Sequence, residues 1–212
     1  MQIDIRPMVL PAHPDEDGPA GDEFRLAHAY NERSNAERYG DGLYVNTPVE
    51  FLASLQPNAD YRLARLHAWD GDRLVGIITL YSNLLDSTDV VEAQPELSSE
   101  LSAAEQHELA EALTERAHEL AAADARSTVI MSTVGAAEGA VTATSGFGGA
   151  DPAHPEAAPL VRRGYALEQV YRVSVAELAD LPDLDARLAA AAAGAPGYEL
   201  VRWIGGTPAE HR

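Results

Sequence analysis

The chain has no cysteine and no lysine. The first absence excludes disulfide frameworks, thiolate metal centres and a cysteine nucleophile. The second leaves arginine as the basic residue, 15 against 34 acidic residues, for a formal net charge of −19. A chain this acidic lacks the basic patch that neutralises phosphates, which argues against nucleic acid and against anionic membrane surfaces. The plain reading of the charge is a solvated acidic surface; the sharper one is an acidic groove for a cationic amine. Long apolar runs are also missing, so no segment reaches membrane-spanning length. Met1 to Pro7 has neither a basic n-region nor an apolar h-region, and the expectation is a soluble cytoplasmic protein. What the chain does have is core: 46 % hydrophobic residues over 212 positions, enough for one domain with an appendage or two small domains.

Ile3 and Ile5 alternate with polar neighbours and predict a first strand ended by Pro7. Asp22 to Arg38 predicts a helix with Phe24, Leu26, Ala27 and Tyr30 as its apolar positions. Thr47-Pro48-Val49-Glu50 opens a second helix, with Thr47 as N-cap and Glu50 as the capping-box acid. Arg62–Trp69 and Leu74–Tyr81 are rich in strand formers, and Asp70-Gly71 between them is a hairpin signal. Asp89 to Glu92 predicts a third meander strand.

Ser102 followed by Glu105 is a second capping box. It opens a helix to about Ala123, with Leu109, Leu113, Ala117, Leu120 and Ala121 on one face. Glu108, Glu111, Glu115 and Glu119 form an acidic stripe on another, read as solvent-exposed, as are His107 and His118. Ser127 to Val134 reads as a buried strand. Gly135 to Asp151 reads as a long flexible loop, and its Thr144–Gly149 run lacks the spacing of a nucleophile elbow or P-loop. A short helix follows, Pro155 to Arg163, stopped by Gly164. Tyr165–Val175 predicts two further strands, Asp183–Ala193 a helix, and Tyr198–Ile204 a last strand. His13 with Asp15 and Asp17, and Asp151 with His154, are loop residues, and no metal site is expected from them. The order predicts an α/β (α+β) fold: a mixed, mostly antiparallel twisted sheet with helices on both faces. The strand–long helix–strand unit predicts a parallel crossover.

Three strings together resemble the GNAT superfamily of N-acetyltransferases. Trp69-Asp-Gly-Asp-Arg-Leu-Val-Gly-Ile-Ile-Thr79 resembles its second and third strands, and Glu111–Leu120 its cofactor-side helix. Leu160-Val-Arg-Arg-Gly-Tyr165 resembles its helix-to-strand corner. Gly197–Gly205 resembles the segment leading from the first to the second domain of tandem, mycothiol-synthase-like proteins. The resemblance implies a GNAT-like acyltransferase domain over residues 1–182 and a C-terminal helix, linker and strand over 183–212. It implies acetyl-CoA as co-substrate, a small-molecule amine as acceptor, and a second GNAT-like domain or a homodimer partner. It places the co-substrate along Val90 and Val91 and at Ser102, Ala103 and Ala104. Glu92 becomes the candidate general base, with Tyr81 or Ser132 as acid for the leaving thiolate.

The departure lies at the helix start. The family holds the CoA pyrophosphate on an Arg/Gln-x-x-Gly-x-Gly/Ala loop, whereas Leu101-Ser-Ala-Ala-Glu-Gln106 has neither arginine nor glycine. Glycines let phosphates approach the backbone, and Glu105 would repel them. The alternative implied by that loss is a non-catalytic GNAT-like domain acting as a structural or ligand-binding module.

Overall fold

The alternation at Ile3 and Ile5 forms strand β1 (Ile3–Pro7), and the computed structural model describes residues 1–40, 44–136, 138–174, 181–203, 208 and 210. Helices α1 (Pro19–Tyr39) and α2 (Pro48–Ser54) follow. Thr47 caps α2 through a complete capping box with Glu50. Strands β2 (Tyr61–Asp70) and β3 (Arg73–Asn83) form the hairpin, with Gly71 at φ +67° in its turn. Strand β4 (Val90–Leu97) runs longer than the meander strand expected at Asp89–Glu92, continuing through Pro95. Helix α3 (Ala103–Ala123) crosses to β5 (Thr128–Met131). The main sheet has the order β1-β2-β3-β4-β5, with β4 and β5 parallel and every other pair antiparallel.

Alternation along the strands sorts side chains to two faces. Leu66, Ile78, Leu80, Val91 and Ala93 pack with Leu109, Leu113 and Ala117 of α3. On the other face, Phe24 and Ala27 of α1 and Phe51, Leu52 and Leu55 cluster with Leu63 of β2. Leu26, expected among the apolar positions of α1, is exposed, while Gly21 and Ser34 are buried instead.

Gly76 lies directly against Leu109 of α3. A Cβ there would meet Leu109 Cδ2 at 2.7 Å and the Glu96 carbonyl oxygen at 3.0 Å. The leucine can rotate but the carbonyl cannot. Gly76→Val is expected to lower stability by about 2–3 kcal/mol through overpacking, measured by denaturant unfolding.

The end of α3 is a Schellman motif. The Arg126 N–H bonds the Ala121 carbonyl and the Ala125 N–H bonds that of Ala122. Ala125 takes the left-handed position, at φ +55°. Ala125→Gly is therefore expected to raise stability by about 0.5–1 kcal/mol, read as a higher melting temperature.

Several expectations need correcting. The strand expected to be buried over Ser127–Val134 is the short edge strand β5, and Ile130 on it is 47 % exposed. Among the described residues nothing pairs with its outer side, because residues 165–174, expected as two strands, are irregular. Val175, the end of that expected segment, lies outside the described residues. Leu167 and Glu168 instead accept backbone bonds from Thr144 and Ser145. The expected flexible loop holds a small hairpin of β6 (Val141–Thr142) and β7 (Gly149–Ala150). A short helix α4 (Ala158–Arg162) follows, and Gly164 at φ +78° ends it.

The chain divides into two compact units, Met1–Arg172 and Val173–Arg212. The second contains helix α5 (Leu184–Gly194), followed by irregular backbone over 198–203 where a strand was expected. Ile204 lies outside the described residues. Tyr198 and Leu200 are about nine-tenths exposed.

Candidate functional site

The sheet register brings two of the expected residues together. Leu63, Tyr81, Glu92 and Ile130 stand in one row across β2 to β5, so Tyr81 and Glu92 are direct cross-strand neighbours. Tyr81 packs edge-on against Tyr61 at 5.7 Å between ring centres. Burial holds its phenol protonated above the usual tyrosine range. Glu92 is exposed. Ser132, also exposed, follows the end of β5, and its N–H donates to the Ala93 carbonyl at 2.9 Å. Among the described residues no hydrogen bond joins Glu92, Tyr81 and Ser132.

That Ser132–Ala93 bond is the last between β4 and β5. Beyond it β4 continues to Leu97 against β3 alone. Backbone groups alternate sides along a strand, so Pro95 turns toward the side that β5 has left. Proline is tolerated there because no ladder donor is needed. The β4–β5 ladder thus ends one residue past the Tyr81–Glu92 row, and this end of the ladder is the β4–β5 wedge. Val90 and Val91 lie in the paired half and are not brought to the wedge. The Val90 carbonyl accepts from Arg126 at 3.1 Å, and the Val91 side chain is in the core against α3.

Ser102, Ala103 and Ala104 start α3 as expected, and the capping box is complete. The Ser102 hydroxyl accepts from the Glu105 N–H at 3.4 Å. Glu105 Oε2 accepts from the Ser102 N–H at 2.9 Å and from its hydroxyl at 2.7 Å. The Ser102 hydrogen bonds hold the Glu105 carboxyl below the usual glutamate range, so it is anionic at neutral pH. A pyrophosphate does not fit this helix start: a fixed carboxylate occupies it and no glycine opens the backbone.

Segments after β5 close in from two sides. Glu156, buried, takes the Arg38 guanidinium from the end of α1 and the Val134 N–H at 3.3 Å. The acidic stripe of α3, expected to face solvent, in part receives α4. Glu111 pairs with Arg162 and Arg163, and Glu115 with Arg163 at 3.0 Å. His118, expected at the surface, is half-buried and hydrogen-bonded to the Tyr165 hydroxyl at 2.6 Å.

A buried polar layer under α1 and α2 was not foreseen. His67 Nδ1 lies 2.7 Å from Glu23 Oε1, and Tyr30 donates to the Glu96 carbonyl at 3.1 Å. Burial, with the charges of Arg65 and Arg6, pushes the His67 imidazole from near 6.5 down to about 3. Arg65 and His67 alternate with Ala64, Leu66 and Ala68 in the sequence. That polar–apolar period inside a central strand was the available signal. Among the described residues no three His, Asp or Glu side chains group in a way that could hold a metal ion, and no helix is long and apolar enough to cross a membrane.

No protein-family model and no curated protein matches the sequence. Solved structures do match. A crystal structure described as a probable acetyltransferase superposes with a TM-score of 0.52 at 15 % identity, over 84 % of this chain and 99 % of that one. The chain shares the fold of that structure, the GNAT-like mixed sheet expected from the sequence. An aminoglycoside acetyltransferase from an uncultured soil metagenomic sample gives a TM-score of 0.48 at 18 % identity, over 84 % and 99 % of the two chains. Ribosomal-protein-alanine N-acetyltransferase from Brucella melitensis biovar Abortus 2308 gives 0.44 at 14 %, over 84 % and 100 %.

Proposed function

We propose that this domain is a GNAT-type N-acyltransferase that moves an acyl group from an acyl-CoA to an amine. The observation carrying the reading is the Tyr81–Glu92 cross-strand pair beside the point, after Ala93, where the β4–β5 pairing ends. Past Ala93 the freed side of β4 offers, at Pro95, a carbonyl acceptor but no N–H, so an extended amide chain would meet it there only as a donor. Such a chain is the pantetheine arm of CoA, which supplies the reactive thioester. Glu92 takes the proton from the attacking amine, and Tyr81, kept protonated by burial, is positioned to donate toward the leaving thiolate. Ser132 is the other candidate acid. The pyrophosphate end contributes little to binding, because the Ser102–Glu105 box occupies its place. The Gly197–Gly205 string supports the finer proposal that the chain is the first half of a tandem protein, and its partner a second such domain.

A second reading has its own observation. The capped start of α3, the Arg38–Glu156 pair and the α3–α4 ion pairs favour a GNAT-fold module that binds or stabilises a partner without catalysis. Thiol release from acetyl-CoA over a panel of primary amines separates the two. The transferase reading expects turnover, and Glu92→Gln is expected to lower kcat at least about 10²-fold with little change in KM for acetyl-CoA. No turnover with any amine would favour the module. Turnover undiminished in Glu92→Gln would remove Glu92 from its role.

A further inference from the structure

Arg65 lies mid-strand on β2, on the face that carries Tyr81 and Glu92. Its neighbours across the sheet are Thr79 of β3 and then Gln94 of β4, one row along from the Tyr81–Glu92 row. The guanidinium carbon sits 5.3 Å from the ring centre of Phe51 in α2. Nη1 donates to Thr79 Oγ1 at 3.1 Å. Nε and Nη2 are sealed from solvent and have no hydrogen-bond partner.

Those two nitrogens are not an arbitrary pair. They form one edge of the planar guanidinium, with parallel N–H bonds at the spacing of the two oxygens of a carboxylate. The contacts to Phe51 and Thr79 fix the plane and leave this edge as the free one. Glu96 stabilises the charge electrostatically, but no hydrogen bond joins it to Arg65. A solvent-shielded guanidinium with a complete free fork is costly to the fold on its own account. It is the arrangement of a site that receives a planar anion.

On the acyltransferase reading, we infer that Arg65 binds a carboxylate of the acceptor, so that the substrate is an amine that also carries a carboxylate. The two charges of such a zwitterion have complementary places. The amine lies toward Glu92 on β4 and the carboxylate lies on Arg65 of β2, about 12 Å apart at the backbone, two strand spacings across and two residues along. A doubly charged phosphate is disfavoured, because Glu92 and Glu96 stand on the same face of β4.

The test is a titration of the whole chain followed by the side-chain Nε–H signals of its arginines in ¹H–¹⁵N spectra, with no acyl-CoA present. The probes are 4-aminobutyrate and glycylglycine, with butylamine and inorganic phosphate as controls. The expected result is a saturable shift of the Arg65 Nε–H with a carboxylate probe and none with butylamine. Arg65→Lys keeps the charge without the fork, and its affinity is expected to be at least tenfold weaker. Failure of both carboxylate probes to saturate, an equal response to butylamine, tighter binding of phosphate, or unchanged affinity in Arg65→Lys would each overturn the inference. The wild-type titration decides the matter even where a variant does not fold. Carboxylate binding without acetyl transfer would remove the transferase reading and leave the Arg65 site standing.

Discussion

Stability of the domain is expected to fall by several kcal/mol as pH drops from about 6.5 toward 3, with His67 as the main cause. The imidazole is fully enclosed and its pKa is pushed from near 6.5 to about 3 by burial and by the charges of Arg65 and Arg6. The unfolded chain therefore binds a proton that the folded one refuses. Stability attributable to this group is intact above the unfolded value near 6.5. It is lost progressively as pH falls, and the loss is complete below about 3. Glu105, Glu111 and Asp124, all held below their usual range by hydrogen-bonded partners, add to the loss below about pH 4.5. Glu23, raised by burial, acts in the opposite sense, and its effect falls above about pH 4.5, within the His67 limb. Urea unfolding at a series of pH values measures the slope. His67→Phe is expected to flatten the limb between pH 6.5 and 4.5 and to make the limb from 4.5 down to about 3 shallower, leaving there the part that the carboxylates contribute. A slope unchanged by that substitution would show that His67 is not its source.

The second large effect is a gain. Ala104→Arg with Glu105→Gly is expected to raise acetyl-CoA affinity at least about tenfold, measured by calorimetry. Two changes act together. Removing the carboxylate frees the first-turn N–H groups and lifts its repulsion of phosphate. The glycine opens the backbone to close approach, and the arginine adds a charge-assisted donor. Loss of the box costs the helix about 1 kcal/mol, so the melting temperature should fall while binding strengthens. Affinity for S-acetylpantetheine, which carries no pyrophosphate, should not change. If both ligands gained equally, the effect would lie elsewhere than at the helix start.

Much of the fold was legible in local chemistry. Asp70-Gly71 and the two capping boxes set element boundaries with a stated mechanism, and α3 follows its leucine spacing throughout. The edge nature of β5 was not legible. Val129, Ile130 and Met131 read as a buried strand, but burial depended on whether residues 165–174 would pair with it, and strand propensity alone does not bring them there. The extension of β4 through Pro95 was hidden for a related reason, since a proline reads as a strand end unless the loss of β5 is known. At the site, the Tyr81–Glu92 pairing follows from hairpin register. Arg65, His67 and Glu156 were missed, because which polar residues of a strand become buried depends on the helices laid over them. The acidic stripe on α3 shows the same limit: its partners Arg162 and Arg163 arrive from a helix some fifty residues later.

Calorimetric binding of acetyl-CoA beside S-acetylpantetheine tests the central claim most directly. The claim is a GNAT-fold acyl-transfer site entered along the β4–β5 wedge, with the pyrophosphate position given over to the Ser102–Glu105 box. It predicts that both ligands bind and that their affinities agree within about threefold, since the pyrophosphate finds no cradle at the helix start. Acetyl-CoA binding tenfold or more tightly than S-acetylpantetheine, or neither ligand binding at all, would contradict it.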